Sequence, residues 1–228
     1  MSEITLRRAS HCWRQWSILA HVRATVITGG DAPAPDIAAS WINGAALVIA
    51  ADSGAETARV YGVEPDLLVG DFDSLPEAVA ADYASNRIRR YPPAKDHTDT
   101  EIALRIAREE GCDEVVLIGG GGGRLDHLLA IVALFERPDP PVAWISANAV
   151  VSAVDHETVQ HGRVGELISF LPLGCAPCRM TSSGLRWPLD DLEWVRGDVG
   201  ISNEFVDREV RVLMRSGRLL VIRGVGAG

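Results

Sequence analysis

The strongest constraint on the fold is the rhythm of residues 25 to 146, where short apolar runs alternate with helix-like stretches. Thr25-Val26-Ile27-Thr28, Ala46-Leu47-Val48-Ile49-Ala50, Leu67-Leu68-Val69, Val115-Val116-Leu117-Ile118 and Val142-Ala143-Trp144-Ile145 are continuous rather than alternating, the pattern of strands buried on both faces. Between them, Ile102, Leu104 and Ile106 fall at helical spacing within Asp99 to Glu110. Leu128, Leu129, Ile131, Val132 and Phe135 do the same within Asp126 to Glu136. The alternation predicts an α/β domain with a mainly parallel sheet flanked by helices.

After about Val150 the texture changes. Glu166 to Leu171, Leu192 to Val195, Val210 to Leu213 and Leu219 to Ile222 are short and separated by turns rich in Gly, Pro, Ser and Asp, which predicts a small antiparallel β domain. The expected organisation is an N-terminal extension over 1–24, an α/β domain over 25–148 and a β domain over 149–228.

Charge and cysteine use narrow the setting. A net charge of −9 argues against a nucleic-acid backbone as the main partner, while leaving room for one small anion in a local basic pocket. Arginines 7, 8, 14 and 23 interrupt the N-terminal apolar patches, so no signal-peptide core or membrane span is read, and a cytoplasmic protein is expected. Cys12 and Cys112 are isolated, and Cys175-Ala-Pro-Cys178 has no second pair at zinc-finger spacing. It reads as two cysteines around a turn.

In parallel α/β sheets ligands sit beyond the carboxyl ends of the strands, so the polar residues that follow apolar runs carry the chemistry. Four segments qualify: Asp52-Ser53-Gly54, Gly70 to Ser74, Lys95 to Glu101, and Gly119 to Gly123 with Arg124-Leu125-Asp126-His127. Carboxylates gathered there repel one another by about 3 kcal/mol per pair at roughly 5 Å and an effective dielectric near 20, a cost that a divalent cation removes. Oxygen-only donors favour Mg²⁺ or Mn²⁺ over zinc. Five consecutive glycines allow backbone N–H groups to approach phosphate oxygens, and Arg124 adds a guanidinium suited to two phosphate hydrogen bonds. Lys95 is the only lysine and falls inside one of these segments.

Each feature also has a structural reading. Asp71 and Asp73 suit a turn, Thr98 and Glu101 form the T-x-x-E capping box, Asp126 suits a helix N-cap, and the glycines suit a flexible loop. Their co-occurrence in one half of the chain, at ends expected to share a cleft, favours function.

The ordered set Ala51-Asp52-Ser53-Gly54-Ala55, Pro65-Asp66, Gly70-Asp71-Phe72-Asp73-Ser74, Lys95-Asp96-His97-Thr98-Asp99-Thr100-Glu101 and Gly122-Gly123-Arg124-Leu125-Asp126-His127 resembles the thiamine pyrophosphokinase (thiamine diphosphokinase) family. Gly184-Leu185 with Trp187-Pro188-Leu189, then Gly200-Ile201-Ser202-Asn203-Glu204-Phe205, extend the likeness into the second half. The resemblance implies Mg²⁺-dependent transfer of a diphosphoryl group from ATP to the hydroxyl of thiamine, giving thiamine diphosphate and AMP. It further implies a C-terminal β-sandwich that binds thiamine, and a homodimer with active sites between subunits. Carried over motif by motif, Asp71, Asp73 and Asp99 hold the metal, and Asp126 joins them as a catalytic carboxylate. Lys95, Thr98, Gly122, Gly123, Arg124 and His127 address the nucleotide. Asp52 lies on the substrate side with Ser202 and Asn203, the last two reaching thiamine from the partner subunit. The alternatives are a diphosphokinase for another hydroxyalkyl heterocycle, such as a hydroxymethyl pterin, or a nucleotide- or thiamine-binding protein without turnover.

The chain departs from the family pattern at two places. Ser53 stands where A-D-G-G-A is commoner, and Leu219-Leu220-Val221-Ile222 stands where some members carry a last-strand tryptophan that stacks on thiamine. Aromatic stacking must then come from elsewhere or be absent.

Overall fold

The computed structural model describes residues 21–72, 87–92, 94 and 96–225. The β-branched runs form parallel strands: β1 Arg23–Thr28, β2 Leu47–Ala51, β3 Leu67–Gly70, β4 Ile88–Arg90, β5 Glu114–Ile118 and β6 Ala143–Ile145. They lie in the order β6-β5-β1-β2-β3-β4. The helices are α1 Pro35–Ile42, α2 Gly54–Val60, α3 Asp99–Glu109 and α4 Leu125–Leu134.

The sheet is covered on both faces. Ile102, Ala103 and Ile106 of α3 and Ile131 and Leu134 of α4 pack with Val26, Ile49, Val69, Val115 and Leu117 on one face. Ala38 and Ile42 of α1 and Ala58 of α2 pack with Ile27, Val48, Val116, Ile118 and Ile145 on the other. With both faces buried, the inner strands have no polar side to alternate with, which is why their runs are continuous in sequence; the edge strand β4, with Arg89 and Arg90 exposed, is the exception.

The later strands are β7 Ala149–Val154, β8 Glu157–His161, β9 Leu167–Leu173, β10 Cys178–Ser183, β11 Glu193–Trp194, β12 Gly200–Glu204, β13 Glu209–Ser216 and β14 Arg218–Gly224. Four of them do not stand apart from the first half. β7 pairs antiparallel with β6 through Ala143↔Ser152 and Ile145↔Val150, and β14, β9 and β12 continue outward, so ten strands form one sheet. The turn expected to divide two domains, near 148/149, is thus a tight hairpin within that sheet. β11, β10, β13 and β8 form the second layer. Ile168, Phe170, Leu219 and Val221 of the large sheet meet Cys178, Met180, Val210, Val212 and Met214 of the small one, closing the antiparallel sandwich.

Candidate active site

β1 sends the chain to β2 on one side, while β5 lies against its other edge, so the parallel order reverses between β1 and β5. A crevice opens beyond the carboxyl ends at such a point. Its walls are Gly29-Gly30-Asp31 after β1 and the glycine run after β5, joined by a bridge in which Asp31 N–H donates to Gly121 O at 3.0 Å and Gly121 N–H donates to Asp31 O at 3.1 Å.

The first three glycines of the run are engaged in packing and backbone hydrogen bonds. Gly119 N–H donates to Ile145 O at 2.9 Å and Gly120 N–H to Gly29 O at 2.8 Å, so with Gly121 three of the five amides are engaged within the protein. Any phosphate cradle falls to Gly122 and Gly123. The glycines serve close packing: a Cβ on Gly119 would lie 2.3 Å from Thr28 O, in a backbone with φ +96°. Trp144 Nε1 caps the turn by donating to Gly119 O at 2.7 Å.

On the other side of β1, Asp52 and Asp71 follow neighbouring strands. Asp52 N–H donates to Val69 O at 2.8 Å, and the backbones pack so closely that a Cβ on Gly70 would stand 3.3 Å from Asp52 Cα. Asp52 and Phe72 both adopt the left-handed backbone, φ 48° and 62°. Aspartate tolerates this; for a bulky phenylalanine it stores strain that the surroundings must hold. They do so by burying Phe72 against Ala50, Ala55 and Leu68. The Arg90 guanidinium stacks 4.9 Å from the Phe72 ring centroid, with its Nη1 3.5 Å from Asp71 O. The turn that presents Asp71 is therefore braced from both sides. Asp73 and Lys95 lie outside the described residues.

Asp99 enters as the first residue of α3. Thr98 caps the helix, its Oγ1 accepting from Glu101 N–H at 3.2 Å while Glu101 Oε2 accepts from Thr98 N–H at 2.7 Å. Thr100 Oγ1 lies 3.0 Å from Thr28 Oγ1, which ties the helix start to the end of β1. The Oδ1 atoms of Asp52 and Asp99 are shut off from solvent.

Arg124 is the N-cap residue of α4, so Asp126 sits one position inside the helix rather than capping it. The two side chains form an exposed two-point ion pair, Nε to Oδ1 at 2.9 Å and Nη2 to Oδ2 at 2.5 Å. The Arg124 hydrogen bond holds the Asp126 carboxyl far below the usual carboxylate range. His127 is exposed on the same turn. Among the described residues no group of three or more His, Cys, Asp and Glu is gathered closely enough to hold a metal.

The last two expected residues lie elsewhere. β12 is six strand steps from β1, about 29 Å at the usual strand spacing. Ser202 is exposed there, in a left-handed conformation (φ 60°) at a register shift, with its N–H donating to Ser169 Oγ at 3.1 Å. Asn203 turns inward, 5% exposed, and holds the backbone of Trp187. Asp31 in the crevice wall, and the Phe72–Arg90 brace beside Asp71, are further features that the sequence did not single out. Asp31 follows β1 as Asp52 follows β2, so the strand-end rule applied to Gly29-Gly30-Asp31 finds it.

This architecture defines a class: a doubly wound α/β protein with a glycine- and carboxylate-walled cleft at its switch point, its sheet prolonged into a β-sandwich. Residues 38–141 match the thiamin pyrophosphokinase catalytic domain, and residues 155–219 match the thiamin pyrophosphokinase vitamin B1 binding domain. The thiamine pyrophosphokinase of Bacillus subtilis is 28% identical over 191 residues, covering 78% of this chain and 86% of that protein. The crystal structure of thiamine pyrophosphokinase from Bacillus subtilis superposes with a TM-score of 0.75 at 25% identity, covering 90% of this chain and 99% of the other. That of the Geobacillus thermodenitrificans thiamin pyrophosphokinase gives 0.74 at 28% identity, covering 89% and 97%. The chain belongs to the thiamine pyrophosphokinase family.

Proposed function

We propose that the protein is a thiamine diphosphokinase, transferring a diphosphoryl group from ATP to the hydroxyl of thiamine to give thiamine diphosphate and AMP. The observation that carries this reading is the match to both halves of the family on a chain whose strands β2 and β3 lead into Asp52 and Asp71 and whose helix α3 begins at Asp99. A pterin diphosphokinase has no counterpart to the vitamin B1 binding match, and a binding protein without turnover has no need of the full carboxylate set.

The donor set suits Mg²⁺. Asp71 and Asp99, with Asp73 two positions after Asp71 in sequence, offer hard oxygen ligands, and a carboxylate oxygen enclosed from water, as in Asp99, is stabilised by a cation. When bound, the ion neutralises phosphate charge. The protein's own residues align the reactants. Gly122 and Gly123 N–H groups and Arg124 address the phosphates, Arg124 exchanging Asp126 for a phosphate of similar geometry, joined by His127 from the same segment and by Lys95 and Thr98 from the segment that leads into Asp99. The thiamine oxygen attacks the β-phosphorus in line, the bond from the β-phosphorus to the bridging oxygen breaks, and AMP leaves with the electron pair. The hydroxyl proton passes to Asp73 or Asp99. Alignment and charge neutralisation supply most of such a rate enhancement.

A homodimer completes the site. Ser202 is too far from its own crevice to touch a substrate there, but it lies on an edge strand beside exposed Leu167, Val199 and Ile201, an apolar patch suited to a second copy. A cytoplasmic setting accords with ATP as substrate; no described helix is long and apolar enough to cross a membrane.

The test is mass spectrometry of the protein incubated with Mg-ATP and thiamine. Equal amounts of AMP and thiamine diphosphate are expected, both vanishing with EDTA, and Asp71→Asn is expected to lower turnover at least about a hundredfold with an unchanged melting temperature. Wild-type turnover in that variant removes Asp71 from the site.

A further inference from the structure

Of the residues in the turn after β3, Phe72 has the backbone it favours least. Its φ of 62° lies in the left-handed region, which a bulky side chain adopts only where the surroundings hold it, and the same turn displays Asp71. β4 supplies the hold. It pairs in parallel with β3, Gly70 opposite Arg90, and Tyr91 N–H donates to Gly70 O at 3.0 Å. Side chains two residues apart share a face of a strand, and β4 uses that face twice. Ile88 packs against the cluster that buries Phe72, and Arg90 lays its guanidinium over the ring, 4.9 Å from the centroid. Arg90 Nη1 also reaches toward Asp71 O, 3.5 Å away. The Arg90 side chain is exposed, so the core does not depend on it.

We infer that Arg90 is a positioning residue for the metal site. By holding the Phe72 ring and the Asp71 carbonyl, it keeps the Asp71 carboxylate where a divalent cation binds, acting through the turn and not on the cation or a substrate itself. The inference rests on the metal role given to Asp71 in the diphosphokinase reading. The sign of the effect separates a brace from simple electrostatics. A guanidinium near the site repels a cation, so by charge alone its removal would tighten cation binding. As a brace, its removal lets the strained turn relax, and cation binding weakens. An edge-strand arginine that only blocks pairing with another sheet would do neither.

The experiment is Mn²⁺ binding to the full chain and its Arg90→Ala and Arg90→Lys variants, read without nucleotide from the electron paramagnetic resonance signal of free Mn²⁺. Thermal melts confirm that each variant is folded at the titration temperature, and steady-state kinetics give the KM for thiamine. In Arg90→Ala the Mn²⁺ dissociation constant is expected to rise roughly two- to fivefold, the fold-change for losing an exposed cation–π contact, with the KM for thiamine unchanged. Arg90→Lys, which keeps a cation over the ring, restores most of the affinity. Unchanged or tighter Mn²⁺ binding in Arg90→Ala overturns the inference, as does a lysine variant as weak as the alanine one. A raised thiamine KM would mean that Arg90 acts on the acceptor, and overturns it too. A wild-type chain that binds no Mn²⁺ removes the metal site, and the inference with it. One that binds Mn²⁺ but makes no thiamine diphosphate overturns the diphosphokinase reading alone.

Discussion

Ser53, the departure from the commoner glycine, is accommodated at one atom. A Cβ built on Gly29 would lie 1.9 Å from Ser53 Oγ and 3.2 Å from Ser53 Cβ, so the hydroxyl occupies the space that a side chain at residue 29 would need. The hydroxyl is absorbed by the missing side chain of the β1 turn. Gly29→Ala is therefore expected to destabilise the protein by about 1–3 kcal/mol, the usual cost of overpacking. Ser53→Gly in the same chain removes the two closest atoms, the next being Ser53 C at 3.7 Å, and is expected to recover most of the loss. Thermal melts of the two single variants and the double variant measure the coupling; additive effects would mean that the two positions do not share this space.

At the scale of elements, α3 is a part of the site whose stability depends on pH. Burial raises the Glu101 carboxyl's pKa, but the Thr98 N–H bond and the charge of Arg137 outweigh it, and the net shift is downward. A depressed carboxylate contributes stability that is present above its unfolded pKa and lost as pH falls through the folded value. The melting-temperature deficit of Glu101→Gln should therefore be full near neutrality and shrink between about pH 5 and pH 3. Thr98→Ala, which removes the other half of the box, is expected to cost about 1 kcal/mol, or a few degrees in a chain of this size. A Glu101→Gln deficit that is constant with pH would show that the box, not the charge, carries the effect. This helix was legible in sequence because its cap and its apolar spacing agree. So were β1, β2, β3, β5 and β6, each an unbroken apolar run. β4 and β10 were not: Ile88-Arg89-Arg90 is an edge strand with two exposed arginines, and Cys178 to Ser183 alternates with small polar residues that read as a turn. The glycine run was legible as a crevice wall but not as a packed bridge, because the partners of its amides, Ile145, Gly29 and Asp31, come from other strands.

The whole molecule poses the last question, because residues assigned to one reaction lie at distant parts of one sheet. Asp71 and Asp99 stand at the carboxyl ends of the parallel strands, whereas Ser202 lies on the outermost antiparallel strand, and sequence order alone could not reveal that separation. If each crevice is completed by a second copy, an Asp71→Asn chain and a Ser202→Arg chain carry complementary defects. The arginine would repel a cationic acceptor. Either homodimer should be nearly inactive, yet a mixed dimer contains one site with neither change. Co-expression at equal levels gives mixed dimers as half the population, each with one intact site of two, so roughly a quarter of wild-type activity should return by the symmetry of the assembly. Recovery of that size requires the two regions to act across subunits. No recovery from mixed dimers separated by differential tags would mean that each chain builds its site alone, and that the edge strand serves another purpose.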